Sequence, residues 1–133
     1  MKRVTWFGLV AVLVIVIMNE SACASRPVEI PADLTPAELI QRAQEATDRN
    51  NYKRALQFYE AIIERYPFNT DDICAAEYEI AFIDYKQKNY ETAITGFNAL
   101  LARYEGADAE LLPSQYRVLA ELVLGKIADK QKN

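Results

Sequence analysis

Few side chains in this sequence are equipped for chemistry, and the best placed is Cys23, which follows closely on an apolar run. Lys2 and Arg3 precede Trp6 to Met18, thirteen residues without a charge or a polar group, and then come Asn19-Glu20-Ser21-Ala22-Cys23-Ala24-Ser25. A basic start, a short apolar core and small residues behind it have the form of a secretory signal. The apolar run falls short of the roughly 20 residues that span a bilayer. A thiol in that setting is a substrate for acylation. Ser21-Ala22-Cys23 resembles a bacterial lipobox, whose cysteine is lipidated and becomes the new N-terminus, with Glu20 where an apolar residue is usual. Ala22-x-Ala24 fits ordinary signal cleavage as well, which would free a soluble chain starting at Ser25. Residues 1–22 are thus expected to be a lipoprotein-type signal peptide with lipidation at Cys23, and cleavage at Ala24 is the alternative.

The remaining chemistry is sparse. The chain has no histidine, which removes the commonest general base and the commonest metal ligand. Two cysteines 51 residues apart do not supply the four spaced ligands of a zinc site. Four glycines leave no phosphate-cradling loop. No catalytic residue, cofactor or metal is expected, and the chain reads as a non-enzyme. Its net charge is -4, and loss of Lys2, Arg3 and Glu20 with the signal brings it to -5, with no basic stripe for nucleic acid. Cys74, flanked by Ile73 and Ala75, reads as a small buried hydrophobe rather than a reactive thiol.

Tyr78, Phe82 and Tyr85 stand at i, i+4 and i+7, one continuous face of a helix, and Lys86 follows them. Such a stripe can fill a core, or it can form an aromatic ledge. Aromatic rings give large contact area at low entropic cost, and tyrosine keeps a polar tip for a peptide backbone. Both readings are open at this point.

The elements that must hold these residues come from an internal repeat. Asn51-Tyr52-x-x-Ala55-x-x-x-Tyr59-x-x-Ile62-Ile63-x-Arg65-Tyr66 returns 38 residues later as Asn89-Tyr90-x-x-Ala93-x-x-x-Phe97-x-x-Leu100-Leu101-x-Arg103-Tyr104. Self-similarity at this period marks stacked units that bury their apolar faces against one another. Thr35-Pro36 with Glu38 opens a helix over about 36–49, and Asn50-Asn51 turn into a second over 52–66 that stops at Pro67. A third is expected over 72–88, started by Asp71-Asp72 after a loop lengthened across Phe68 to Cys74. A fourth covers 90–104. A last helix over 113–130 carries apolar residues at Tyr116, Leu119, Ala120, Val123 and Ile127 with no partner helix after it. Ahead of them, Arg26-Pro27-Val28-Glu29-Ile30-Pro31-Ala32-Asp33 reads as an extended tether within 23–34, leaving 35–130 as the folded domain.

The small and aromatic positions resemble the tetratricopeptide pattern: Leu39, Ala43, Ala55, Tyr59, Ile62 and Pro67 in the first unit, and Ile80, Ala81, Ala93, Phe97 and Leu100 in the second. Arg42, Asp84 and Glu105 depart from it. At Arg65-Tyr66-Pro67-Phe68 and Ile80 to Lys86, from Leu34 to Ala128 overall, the chain resembles the N-terminal half of the BamD family, lipoproteins of outer-membrane protein assembly. The resemblance implies an all-α solenoid of two tetratricopeptide hairpins plus a terminal helix, preceded by the signal segment. It also implies an outer-membrane, lipid-anchored scaffold facing the periplasm. Its partners would be a BamA-type barrel protein or unfolded outer-membrane protein segments. An interaction module of another envelope system such as Tol-Pal, able to self-associate, is the alternative.

The first helix of each repeat lines the concave groove in such solenoids. Tyr78, Phe82, Tyr85 and Lys86 are therefore the expected partner-binding residues of the second repeat, with Arg117 and Glu121 from the last helix.

Overall fold

The computed structural model describes residues 29–132. The signal segment and Cys23 lie outside the described residues. Five α-helices follow one another: α1 (Pro36–Asp48), α2 (Tyr52–Arg65), α3 (Thr70–Lys86), α4 (Tyr90–Arg103) and α5 (Ser114–Gln131), with a 3₁₀ turn at Ala109–Leu111. The fold is all-α, as expected. Helix α1 pairs with α2 and α3 with α4, while α3 also leans on α2 and α5 closes over α4.

Local chemistry sets the helix ends. Thr35 caps α1 in a reciprocal box: its hydroxyl accepts from the Glu38 amide at 3.3 Å, and the Glu38 carboxylate accepts from the Thr35 amide at 2.9 Å. Asn51 caps α2 and Asn69 caps α3, each side-chain carbonyl accepting an amide two or three residues into the helix. Asn50 and Lys88, which are 38 residues apart, both take the left-handed conformation (φ 56° and 65°) that ends the first helix of each hairpin. The repeat thus holds at the level of single backbone angles.

One expectation on the elements is corrected. The stretch from Phe68 to Cys74 is not a lengthened loop, because α3 already starts at Thr70. Helices α1 and α3 end at matching repeat positions, Asp48 and Lys86, but α3 has 17 residues and α1 has 13. The residues that stretch the period to 38 form an additional N-terminal turn of α3. The Asn69 cap and the acidic Asp71 and Asp72, which favour the positive end of the helix dipole, explain why helix wins over loop there.

Two apolar clusters result, with α3 contributing to both. Ala76 and Ile83 face the first, built on Leu39, Ala43, Ala55, Tyr59 and Ile62. Cys74, Tyr78 and Ala81 face the second, built on Ala93, Phe97, Leu100, Ala120, Val123 and Ile127. The alanines let the helices approach: a Cβ added at Gly96 would stand 2.9 Å from the Ala81 Cβ. Cys74 is a free, buried thiol as expected, and burial pushes it above its ordinary value.

The end of the stretch read as a tether packs on the domain. Arg65 donates from both guanidinium nitrogens to the carbonyls of Pro31 (2.7 Å) and Ile30 (3.0 Å), and the Tyr66 hydroxyl donates to the Leu34 carbonyl at 2.6 Å. Leu34 is buried and Ile30 half-buried against the first cluster. In the second repeat the matching Arg103 instead grips the Glu77 carboxylate with two bonds of 2.7 and 2.6 Å. Leu39 stands where Glu77 does one repeat later, so Arg65 has no such acid to hold and takes backbone carbonyls.

Candidate functional site: a lysine-topped aromatic ladder

The face carrying Tyr78, Phe82 and Tyr85 is a ladder of stacked rings. The Tyr78 and Phe82 centroids are 5.7 Å apart with planes 14° from parallel, and Phe82 and Tyr85 repeat the arrangement at 5.7 Å and 22°. Helical spacing of i, i+4 and i+7 brings the rings to this offset-stacked distance, which aromatic quadrupoles favour. Tyr90, at the start of α4, continues the row at 6.0 Å from Tyr85.

The two sequence readings of this face divide along its length. Tyr78 is only 7% exposed, packed on Phe97 of α4 and Tyr116 of α5 at 5.7 and 5.9 Å. It belongs to the core and supports the ladder from beneath, so it offers little surface to a partner. Phe82 and Tyr85 are half-buried at the edge of the second cluster and keep part of their faces open. Lys86 is exposed, with its ammonium 5.2 Å from the centre of the Phe82 ring. Lys130, from the end of α5, stands over both Tyr85 (5.0 Å) and Tyr90 (5.7 Å). A cation over a ring face is worth about 0.5–1 kcal/mol at an exposed site.

Arg117 and Glu121 pair with one another along the exposed side of α5, Nε to Oε1 at 3.2 Å. The α5 residues that reach the ladder are their neighbour Tyr116 and, at the helix end, Lys130. Tyr90, Tyr116 and Lys130 are ladder residues that sequence reasoning missed. Tyr90 was legible as the aromatic opening the second repeat motif, whereas Lys130 reads in sequence only as a basic helix end. Burial lifts the Glu79 carboxyl above the ordinary carboxylate range, with the charge of Lys86 pulling the other way.

Chemically the ladder is a gripping surface: flat rings for apolar side chains, tyrosine hydroxyls for backbone, two ammonium groups for carboxylates. Among the described residues no group of three or more His, Cys, Asp or Glu could hold a metal ion. Among them, too, no helix is long and apolar enough to cross a membrane.

Paired helices, interlocking alanines and a ringed face on the first helix of the second hairpin define a repeat protein of the interaction class. The Tetratricopeptide repeat family model matches residues 39–69 and 75–107, one match per hairpin. The chain carries two tetratricopeptide repeats. It is 37% identical over 108 residues to an uncharacterized protein of Treponema pallidum (strain Nichols). That stretch is 80% of this chain and 43% of the relative, so the chain spans less than half the relative's length. No solved structure matches it.

Proposed function

We propose that this protein is a cell-envelope scaffold: exported by residues 1–22, lipidated on Cys23, held at the outer membrane facing the periplasm, and binding partner or client proteins in a BamD-like role in outer-membrane protein assembly. The observation that carries the binding role is the half-open face of Phe82 and Tyr85, topped by Lys86 and Lys130, on the first helix of a tetratricopeptide repeat. Such a face suits an extended peptide with apolar and acidic side chains, as an unfolded outer-membrane protein segment would present. The short path from Cys23 to the docked residues Ile30 and Pro31 would hold the domain close to the membrane surface.

A second reading is an interaction module of another envelope system, such as Tol-Pal or division. The exposed side chains of Val118 and Leu122 on α5 favour it, since they offer an apolar strip for self-association.

A mild-detergent pull-down from the protein's own membranes, beside Cys23→Ala, separates the two. Recovery of a BamA-type barrel protein supports assembly, whereas recovery of Tol-Pal components or of the chain alone supports the second reading. In the same preparation, Phe82→Ala with Tyr85→Ala should abolish binding of an unfolded outer-membrane protein peptide while helical circular dichroism persists. Lys86→Ala with Lys130→Ala should weaken it at full stability. Unchanged peptide binding in both double variants removes the ladder from the mechanism.

A further inference from the structure

A second surface feature lies at the first-repeat end of the pair. A groove of about 480 Å³ runs between α1 and α2, and Arg42, Arg49 and Arg54 line it together with Phe58. This is the face that the first repeat turns away from the second. In the second repeat the position of Arg42 is taken by Ile80, which packs against the first cluster. The positions of Arg49 and Arg54 are taken by Gln87 and Thr92, and that of Phe58 by Gly96. The arginines and the ring therefore belong to this end alone, and the tetratricopeptide pattern does not require them.

The acids along the groove already have partners, Glu45 with Arg49 of the groove itself among them. Glu38 turns one oxygen to both the amide (2.9 Å) and the hydroxyl (2.7 Å) of Thr35 in the helix cap. Glu45 accepts from the Gln41 amide at 3.1 Å and reaches Arg49 only at 3.9 Å. Neither Arg42 nor Arg54 makes an ion pair within 4.0 Å among the described residues, although the charge of Arg42 reaches Glu38 one turn away. Arg54 is laid over the Phe58 ring, 5.5 Å from its centroid, which holds its planar fork in place beside the groove. In a chain of net charge -4, this groove carries three cations against two engaged carboxylates.

We infer that the groove is a docking site for an acidic peptide segment, whose carboxylates pair with Arg42, Arg49 and Arg54, the last held in place over the buried Phe58 ring. The spacing suits a chain that meets the groove at several points. Arg42 and Arg49 are two turns apart, about 10 Å along the helix axis. An extended peptide, with side chains on one face about 6.7 Å apart, places successive acids along such a row. Glu38 and Glu45, interleaved with the arginines, disfavour a polyphosphate backbone and favour acids spaced by neutral residues. The guanidinium fork matches carboxylate geometry in two parallel hydrogen bonds.

The test is fluorescence anisotropy with the full chain in mild detergent and a labelled six-residue peptide of alternating glutamate and alanine. Binding should weaken at least tenfold in Arg42→Ala/Arg54→Ala and severalfold in Arg42→Lys/Arg54→Lys, which keeps the charge and loses the fork. Both positions are exposed, so circular dichroism should be unchanged. Lys126→Ala/Lys132→Ala, the same charge change at the far end, should leave binding intact, as should Phe82→Ala/Tyr85→Ala, which separates this site from the ladder. Three outcomes overturn the inference: no binding to the unaltered chain at millimolar peptide, equal loss in the lysine control, or complete displacement by low-millimolar inorganic phosphate.

Discussion

At the scale of single residues, Tyr59 shows how the repeat exposes a tolerated misfit. It is 1% exposed in the middle of the first cluster, and its hydroxyl has no partner at hydrogen-bonding geometry although Thr47 lies beside it. Thr47 spends its own proton on the Ala43 carbonyl at 3.0 Å. Burial accordingly pushes the Tyr59 phenol up, because an ionised oxygen there would have no water. The second repeat solves the same position with Phe97, which is fully buried and has no hydroxyl to satisfy. An unsatisfied buried hydroxyl costs about 1–3 kcal/mol. Tyr59→Phe should therefore leave stability unchanged or raise it by up to about 1 kcal/mol, read from the urea midpoint. A loss of more than that would mean that the hydroxyl is in fact paired. Tyr59 and Phe97 were legible as the same core position from sequence alone. The missing partner was not, since it depends on where the Thr47 hydroxyl turns once α1 has formed.

Among the elements, the helices came out of the sequence well because their caps and periods are local signals: Thr35 with Glu38, the Asn50-Asn51 turn and Pro67 all act within a few residues. Helix α3 starts two residues before the Asp72 that the sequence marks, and the inserted residues are helix rather than loop. The repeat offset gives the number of inserted residues but not their conformation, which the Asn69 cap decides. The ladder was half legible for the same reason: spacing on one helix put three rings in a row, but α4 and α5 decide which of them stay open. Glycines make the contrast between elements measurable. Gly96→Ala gains about 1 kcal/mol of helix propensity but drives a methyl to 2.9 Å from the Ala81 Cβ, where overpacking costs about 1–3 kcal/mol. Gly125 in α5 has open space around it, so Gly125→Ala keeps the propensity gain. Thermal unfolding should show a lowered Tm for the first and a raised Tm for the second. Two shifts of the same sign would mean that α3 and α4 are not held as close as Gly96 implies.

For the whole molecule, α3 decides whether two repeats behave as one body. It gives Ala76 and Ile83 to the first cluster, Cys74, Tyr78 and Ala81 to the second, and the open rings of Phe82 and Tyr85 to the candidate site. A linear repeat array is held together by neighbour interfaces, so an interface residue couples units that could otherwise open separately. Ile83 is fully buried on that interface. Truncating it removes apolar contact and leaves a cavity, a change that costs about 2–5 kcal/mol. Ile83→Ala should lower amide protection in α2 and in α4 together, although the side chain is counted in the first cluster alone. It should also weaken peptide binding at the ladder near the lowered Tm, with the rings themselves unaltered. Hydrogen exchange resolved by helix is the measurement. If protection falls in α1 and α2 while α4 keeps its own, the repeats are independent units on a shared helix, and the ladder depends only on α3, α4 and α5.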